Sequence, residues 1–161
     1  MLKAWVVDLR GGFMRYAFAE VVFQEVPDEI SLLFFICGCP HRCIGCHSAR
    51  LWDADQGEAL TLEVFTGWLD RYQGLVTCIL FFGGEWWPAR LLACLELAQR
   101  RGFKTCLYTG QEDVLPEIKQ QLNYLKTGRW YPQRGGLNRP DTNQKFLRLP
   151  TGEILNDRFQ R

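Results

Sequence analysis

The sequence predicts an α/β fold: a compact, mainly parallel sheet with flanking helices, either open or forming part of a β/α barrel. Three observations lead there. Apolar runs of strand length alternate with stretches of helical period in the order strand, loop, helix, strand, loop, helix, strand, which is the grammar of parallel βα units. The 161 residues hold three or four such units, about one domain, and fall short of the ~250 that a complete barrel takes. The segments of most unusual composition each follow a predicted strand, at the carboxyl ends where such sheets gather ligands.

Taken in chain order, Val21 to Val26 is a short apolar-rich run stopped by the turn signal Pro27-Asp28. Ile30 to Ile36 is a continuous apolar run and reads as a buried strand. A cysteine loop and a polar stretch occupy residues 37–58. Thr61 is placed to cap a helix whose Phe65, Trp68, Leu69 and Tyr72 share one face, with Gly74 as its stop. Leu75 to Phe82 is a second buried strand, broken by Gly83-Gly84. Leu91, Leu92, Leu95 and Ala98 mark a second helix, closed by Arg100, Arg101 and Gly102. Phe103 to Tyr108 reads as a strand, residues 112–122 as a weaker helix, and Tyr124 to Lys126 as a short strand. Residues 128–143, rich in Gly, Pro and Asn, predict a long loop. Lys145 to Leu149, Pro150-Thr151-Gly152 and Glu153 to Leu155 predict a closing hairpin.

Composition narrows the function classes. Apolar residues at 47% and charged residues at 23% describe a globular chain with a core, not a disordered one. Nineteen Lys and Arg against 18 Asp and Glu supply no bulk field for nucleic acid or an anionic membrane. The opening MLKAWVVDLR has too short an apolar stretch for a secretory signal, and the run at Leu32 to Ile36 is far shorter than a bilayer span of ~20 residues. The expectation is a soluble, cytoplasmic chain.

Four of the seven cysteines, Cys37, Cys39, Cys43 and Cys46, fall within ten residues, whereas Cys78, Cys94 and Cys106 stand singly in apolar surroundings. Isolated cysteines of that kind are small core residues. Thiolates crowded into one loop repel or oxidise unless a metal neutralises them. Zinc would take the four cysteines, with His41 or His47 in reserve, although structural zinc sites usually draw ligand pairs from separated segments. An iron–sulfur cluster is larger, and a single loop can wrap it. In the second case Cys39-x3-Cys43-x2-Cys46 gives three ligands to a four-iron cluster and leaves one iron open for chemistry.

Cys-x3-Cys-x2-Cys resembles the signature of the radical S-adenosylmethionine (SAM) enzymes. The run Cys43-Ile44-Gly45-Cys46-His47-Ser48 to Trp52, with Gly45 before the last cysteine, resembles the activases of anaerobic ribonucleotide reductase. Val21 to Glu29 and Thr142-Asn143-Gln144-Lys145 extend that likeness over residues 20–149, whereas residues 1–18 and 150–161 contribute none. The resemblance implies a radical SAM domain with a [4Fe–4S] cluster on Cys39, Cys43 and Cys46. Cys37 is then a small residue under the cluster, because a fourth thiolate would occupy the iron that SAM needs. It implies that Gly83-Gly84-Glu85 holds the amino group of SAM, although Trp86 and Trp87 intervene here before Pro88, where family members often continue directly with Pro. It places Tyr108-Thr109-Gly110 and His47 at the cofactor, the last through contacts to the adenine. Lys126-Thr127-Gly128 and Asn143-Gln144 fall at further family positions without an assigned role. His41 is expected to face solvent.

The resemblance also implies an activity. One electron from the cluster splits SAM into methionine and a 5′-deoxyadenosyl radical, which removes a hydrogen atom from a backbone glycine of the anaerobic (class III) ribonucleotide reductase. A flavodoxin- or ferredoxin-type protein would supply the electron. Three alternatives stand beside it: a small radical SAM enzyme of cofactor or modified-base biosynthesis, a non-catalytic zinc-binding interaction module, and an activase for a different glycyl radical enzyme. Trp52, Trp86, Trp87, Trp130 and Tyr131, with Arg129, Arg134 and Arg139, are each expected to pack locally; grouped on one side they would make a protein-binding face.

Overall fold

A computed structural model describes residues 12–160, so the reading of the opening ten residues as lacking a secretory signal lies outside the described part. Eight strands form one open sheet in the order β3-β1-β2-β4-β5-β6-β7-β8. The centre is parallel: β2 (Ser31–Ile36), β4 (Cys78–Phe82), β5 (Lys104–Tyr108) and β6 (Tyr124–Thr127) run side by side. Antiparallel strands finish both edges, β1 (Arg15–Val22) and β3 (Glu58–Ala59) on one side, β7 (Lys145–Arg148) and β8 (Glu153–Ile154) on the other. The predicted α/β class with an open, centrally parallel sheet is what the chain adopts.

Alternation along the central strands divides the interior into two faces. Leu32, Phe34 and Ile36 of β2, Ile79 and Phe81 of β4, Leu107 of β5 and Leu125 of β6 point to the helical side. There they meet Phe65 and Leu69 of α1 (Leu62–Tyr72) and Leu91, Leu95 and Ala98 of α2 (Pro88–Arg100). Phe34 stacks on Phe81 with ring centroids 5.6 Å apart, and Phe65 stands edge-on to Phe34 at 5.5 Å. The opposite face carries Leu33, Cys78, Leu80, Cys106 and Tyr124. It is covered by loop residues Val26 and Leu137 and by Phe146 and Leu155 of the closing hairpin region. Cys78, Cys94 and Cys106 are fully enclosed in these layers, and burial drives their thiols upward, to about 12 for Cys78 and Cys94.

Local rules account for most boundaries. Thr61 Oγ1 accepts the Val64 N–H at 3.1 Å, the predicted cap of α1. The strand expected from Leu75 starts only at Cys78, because the Leu75 and Val76 N–H groups are turned back onto the Tyr72 carbonyl. The helix expected over 112–122 shrinks to α3 (Pro116–Lys119). Pro116 lacks an N–H and its ring would strike the carbonyl four residues earlier, so a helix can begin there but cannot run through it. The run read at Val21 to Val26 belongs to β1 only through Val22; the strand begins earlier, at Arg15, and residues 23–28 form turns.

A buried carboxylate ties the amino-terminal ends of the strands. Glu29 accepts from Lys104 Nζ and from Thr77 Oγ1, each at 2.5 Å, and from the Tyr124 hydroxyl at 3.3 Å. The carboxyl ends are left free for a site. Among the described residues, no helix is long and apolar enough to cross a membrane.

Candidate functional site

The loops that leave β2, β4 and β5, together with the end of β6, surround a cavity of about 450 Å³. Its lining brings together Cys39, Cys43, Cys46 and His47 from the first loop, Gly83 and Glu85 from the second, and Tyr108, Thr109 and Gly110 from the third. Residues from Cys39 to Gly110 thus meet at one end of the sheet, as the placement of the motifs at strand ends predicts. Of the residues singled out in the sequence, Gly84 does not line the cavity; it sits under the loop, where a β-carbon would touch Ile36, Leu91 and Met14.

The cysteine loop is shaped by backbone geometry. Gly38, Arg42 and Gly45 all take positive φ, at 83°, 47° and 71°. Gly45 lies against the long loop: a β-carbon there would come within 3.1 Å of Pro132. The N–H groups of Gly38 and Cys39 both donate to the Leu51 carbonyl, and Cys46 N–H donates to the Cys43 carbonyl at 3.1 Å. Ser48 N–H points at Cys46 Sγ, 3.3 Å away, as backbone donors do toward thiolates that ligate iron. Cys37 is buried and does not border the cavity; Trp86 Nε1 donates to its carbonyl at 3.2 Å.

Trp86 fills the space between the two loops. Gly83 has φ of 85°, and a β-carbon on it would lie 2.4 Å from the Trp86 ring. The same ring reaches Gly38, whose β-carbon would be 3.5 Å from Trp86 Nε1. The tryptophan inserted after Gly-Gly-Glu is therefore a wedge that sets the distance between the cysteine loop and the Glu85 loop.

Glu85 is held asymmetrically. His41 Nε2 and Thr109 Oγ1 both donate to Oε1, at 2.9 and 2.6 Å. Oε2 is buried and has no partner. His41 does not face solvent as expected; its side chain is 16% exposed and turned inward onto Glu85. Nothing in sequence spacing announces a pair 44 residues apart.

Lys126 of β6 is a further member of the cavity whose role the sequence left unassigned. Its Nζ donates to the Gly128 carbonyl at 3.1 Å and lies 5.8 Å from the Tyr108 ring centroid. Desolvation by burial pulls its ammonium down to about 8. The Tyr108 hydroxyl donates to the Glu25 carbonyl across the opposite face. Gln144 also lines the cavity and donates to the Gly128 carbonyl at 3.3 Å, while Asn143 holds the Arg129 carbonyl. Trp52 and Trp130 line the cavity with buried, unpartnered indole N–H groups, and His47 packs edge-on to Trp130 at 5.1 Å. Arg129 donates to the His41 carbonyl, and Arg134 and Arg139 bond to Asp141. Trp52, Trp130 and Arg129 are thus engaged in building the site, whereas Tyr131, Arg134 and Arg139 are exposed.

Residues 30–124, more than half of the chain, match the family described as "4Fe-4S single cluster domain". The chain belongs to the 4Fe-4S single cluster domain family. No curated protein matches the sequence. Among solved structures, QueE from Escherichia coli is similar in fold, with a TM-score of 0.54 and 15% identity over 68% of this chain and 68% of that one.

The donor set fits the family's cluster. Burial raises the Cys39 thiol and the His41 backbone N–H lowers it, while Glu85, Cys43 and Cys46 add negative charge that raises it further. A positively charged iron core relieves this crowding of three thiolates and a carboxylate. Three cysteines bordering one cavity match a cluster with a free iron better than a closed zinc tetrahedron. The family's description names one 4Fe–4S cluster, and the open sheet is similar in fold to that of QueE.

Proposed function

We propose that this protein is a radical SAM activase that produces a glycyl radical on anaerobic ribonucleotide reductase. The observation that carries the reading is the content and size of the cavity. Cys39, Cys43 and Cys46 border it on one side. Glu85 offers a buried acceptor with no partner, and Lys126 offers an ammonium with only one of its three donors used within the protein. One acceptor for an ammonium and one donor for a carboxylate complement the α-amino-acid end of SAM. The indole N–H groups of Trp52 and Trp130 remain for polar atoms elsewhere on that ligand.

A volume of about 450 Å³ is near the low end of the ~300–1,000 Å³ that encloses one drug-sized ligand. Cluster and SAM use it, and a second small substrate would find no enclosed place. A macromolecular substrate laid over the mouth solves this, and it excludes water from the site at the same time. Ile44, between two of the ligand cysteines, is 82% exposed and stands where such a partner would close the site.

Cys39, Cys43 and Cys46 would hold the cluster, which would supply the one-electron reduction of SAM needed to remove a hydrogen atom from the partner's glycine. The chain's own part is to hold and orient. Glu85 and Lys126 fix the amino-acid end of SAM, and the Trp86 wedge keeps that end at a set distance from the cysteines. A flavodoxin- or ferredoxin-type protein supplies the electron.

The test mixes the anaerobically loaded protein, SAM and a one-electron reductant with class III ribonucleotide reductase. The expected result is a glycyl radical doublet in the electron paramagnetic resonance spectrum of the reductase, with one 5′-deoxyadenosine formed per radical. Full-rate turnover of a small heterocyclic substrate in the absence of any protein partner would overturn the activase reading in favour of a biosynthetic radical SAM enzyme.

A further inference from the structure

We infer that His41 and Thr109 form a clamp on one oxygen of Glu85 that aims the other at the ammonium of SAM. The inference rests on the SAM reading of the cavity and adds two positioning residues to it. An ionised carboxylate only accepts hydrogen bonds, so a histidine nitrogen 2.9 Å from Oε1 must carry its proton there, and the Thr109 hydroxyl donates to the same atom. Oε1 is thereby saturated by protein. Oε2, buried and unpartnered, keeps its lone pairs for a ligand.

A glutamate's terminal torsion is broad, and a carboxylate without such contacts samples many orientations. Two donors on one oxygen fix the plane of the group before the ligand arrives, which lowers the ordering cost of binding. The clamp is itself supported. Arg129 holds the His41 carbonyl at 2.7 Å. Thr109 N–H donates to the Lys126 carbonyl at 2.9 Å, and Gln111 N–H donates to Thr109 Oγ1 at 3.0 Å. The His41 ring lies against Gly110, where a β-carbon would come within 3.2 Å of it.

This arrangement gives the third loop a different task from the one its sequence suggests. Thr109 and Gly110 act through Glu85 and His41. Because His41 sits between Cys39 and Cys43, the clamp also joins the cysteine loop to the carboxylate. The ammonium site and the cluster loop are then held as one unit. The mechanism is hydrogen-bond donation and needs no proton transfer.

The experiment measures the dissociation constant of SAM, and of its analogue lacking the α-amino group, on cluster-loaded wild type and on His41→Ala, His41→Gln and Thr109→Val, with iron content determined for each. Removing one donor to a charged acceptor is expected to weaken SAM binding about tenfold at unchanged iron content. His41→Gln, which keeps a donor, is expected to restore most of the loss. The desamino analogue should bind all four proteins equally, because it makes no use of Oε2. SAM affinity unchanged in His41→Ala and Thr109→Val, or an equal loss for the analogue, would overturn the clamp. Should His41→Ala fail to hold iron, Thr109→Val, remote in sequence from the cysteines, decides by the same comparison. A wild type that holds its cluster and binds no SAM would instead overturn the SAM reading and remove the clamp's ligand with it.

Discussion

Cys39→Ala, Cys43→Ala and Cys46→Ala are each expected to abolish stable iron binding and all cleavage of SAM, whereas Cys37→Ala is expected to keep both. The three thiols border one cavity and Cys37 does not; it is buried behind the loop with its carbonyl taken by Trp86. A cluster held by three ligands loses a third of its protein bonds with each substitution, and the exposed edge then invites hydrolysis and oxidation. The Cys37 variant loses one buried sulfur, a packing loss of about 1 kcal/mol. Iron and sulfide content after anaerobic reconstitution separates the two classes. Loss of the cluster in Cys37→Ala at intact fold would refute the three-ligand assignment.

Gly83→Ala is expected to be the most damaging single-atom addition in the site. Its φ of 85° belongs to the region that costs an L-residue ~1–2 kcal/mol, and the new methyl would stand 2.4 Å from the Trp86 ring. That ring is 8% exposed, hydrogen-bonded to the Cys37 carbonyl and in reach of Gly38. It therefore has no free space to enter, and overpacking adds ~1–3 kcal/mol. Together these approach a large share of the ~5–15 kcal/mol that holds a domain. Gly67→Ala is the natural control. Gly67 is exposed within α1 with open space around it, and alanine there is expected to stabilise by ~0.5–1 kcal/mol. Urea unfolding of both variants checks the contrast; equal midpoints would show that Trp86 is free to move and is no wedge.

The parts of this molecule that were legible in the sequence are those encoded locally. Apolar runs gave the central strands, the spacing of Phe65, Leu69 and Tyr72 gave α1, and Thr61 gave its cap. The cysteine triad and Gly83-Gly84-Glu85 stand out because chemistry and turn geometry restrict both residue type and spacing. What escaped was non-local or context-dependent. The bond between His41 and Glu85 joins two loops, and only the parallel pairing of β2 with β4 brings those loops together. Lys126 reads as one more strand residue until the pleat is known to turn it toward the cavity, on the face it shares with Tyr108. The helix expected over 112–122 shortens to α3 because a helix can begin at Pro116 and cannot run through it. Trp86 looked like a departure from the family pattern, and its function as a spacer becomes visible only when Gly83 and Gly38 are seen on its two sides.

The central claim is that this cavity joins a [4Fe–4S] cluster to SAM. Its most direct test is the quantity of 5′-deoxyadenosine released when anaerobically reconstituted protein is given SAM and dithionite, alongside iron and sulfide content. The account predicts about four irons per chain, a visible absorption that bleaches on reduction, and 5′-deoxyadenosine formed only with SAM and reductant together. A colourless protein that retains zinc through reconstitution and releases no 5′-deoxyadenosine would contradict it.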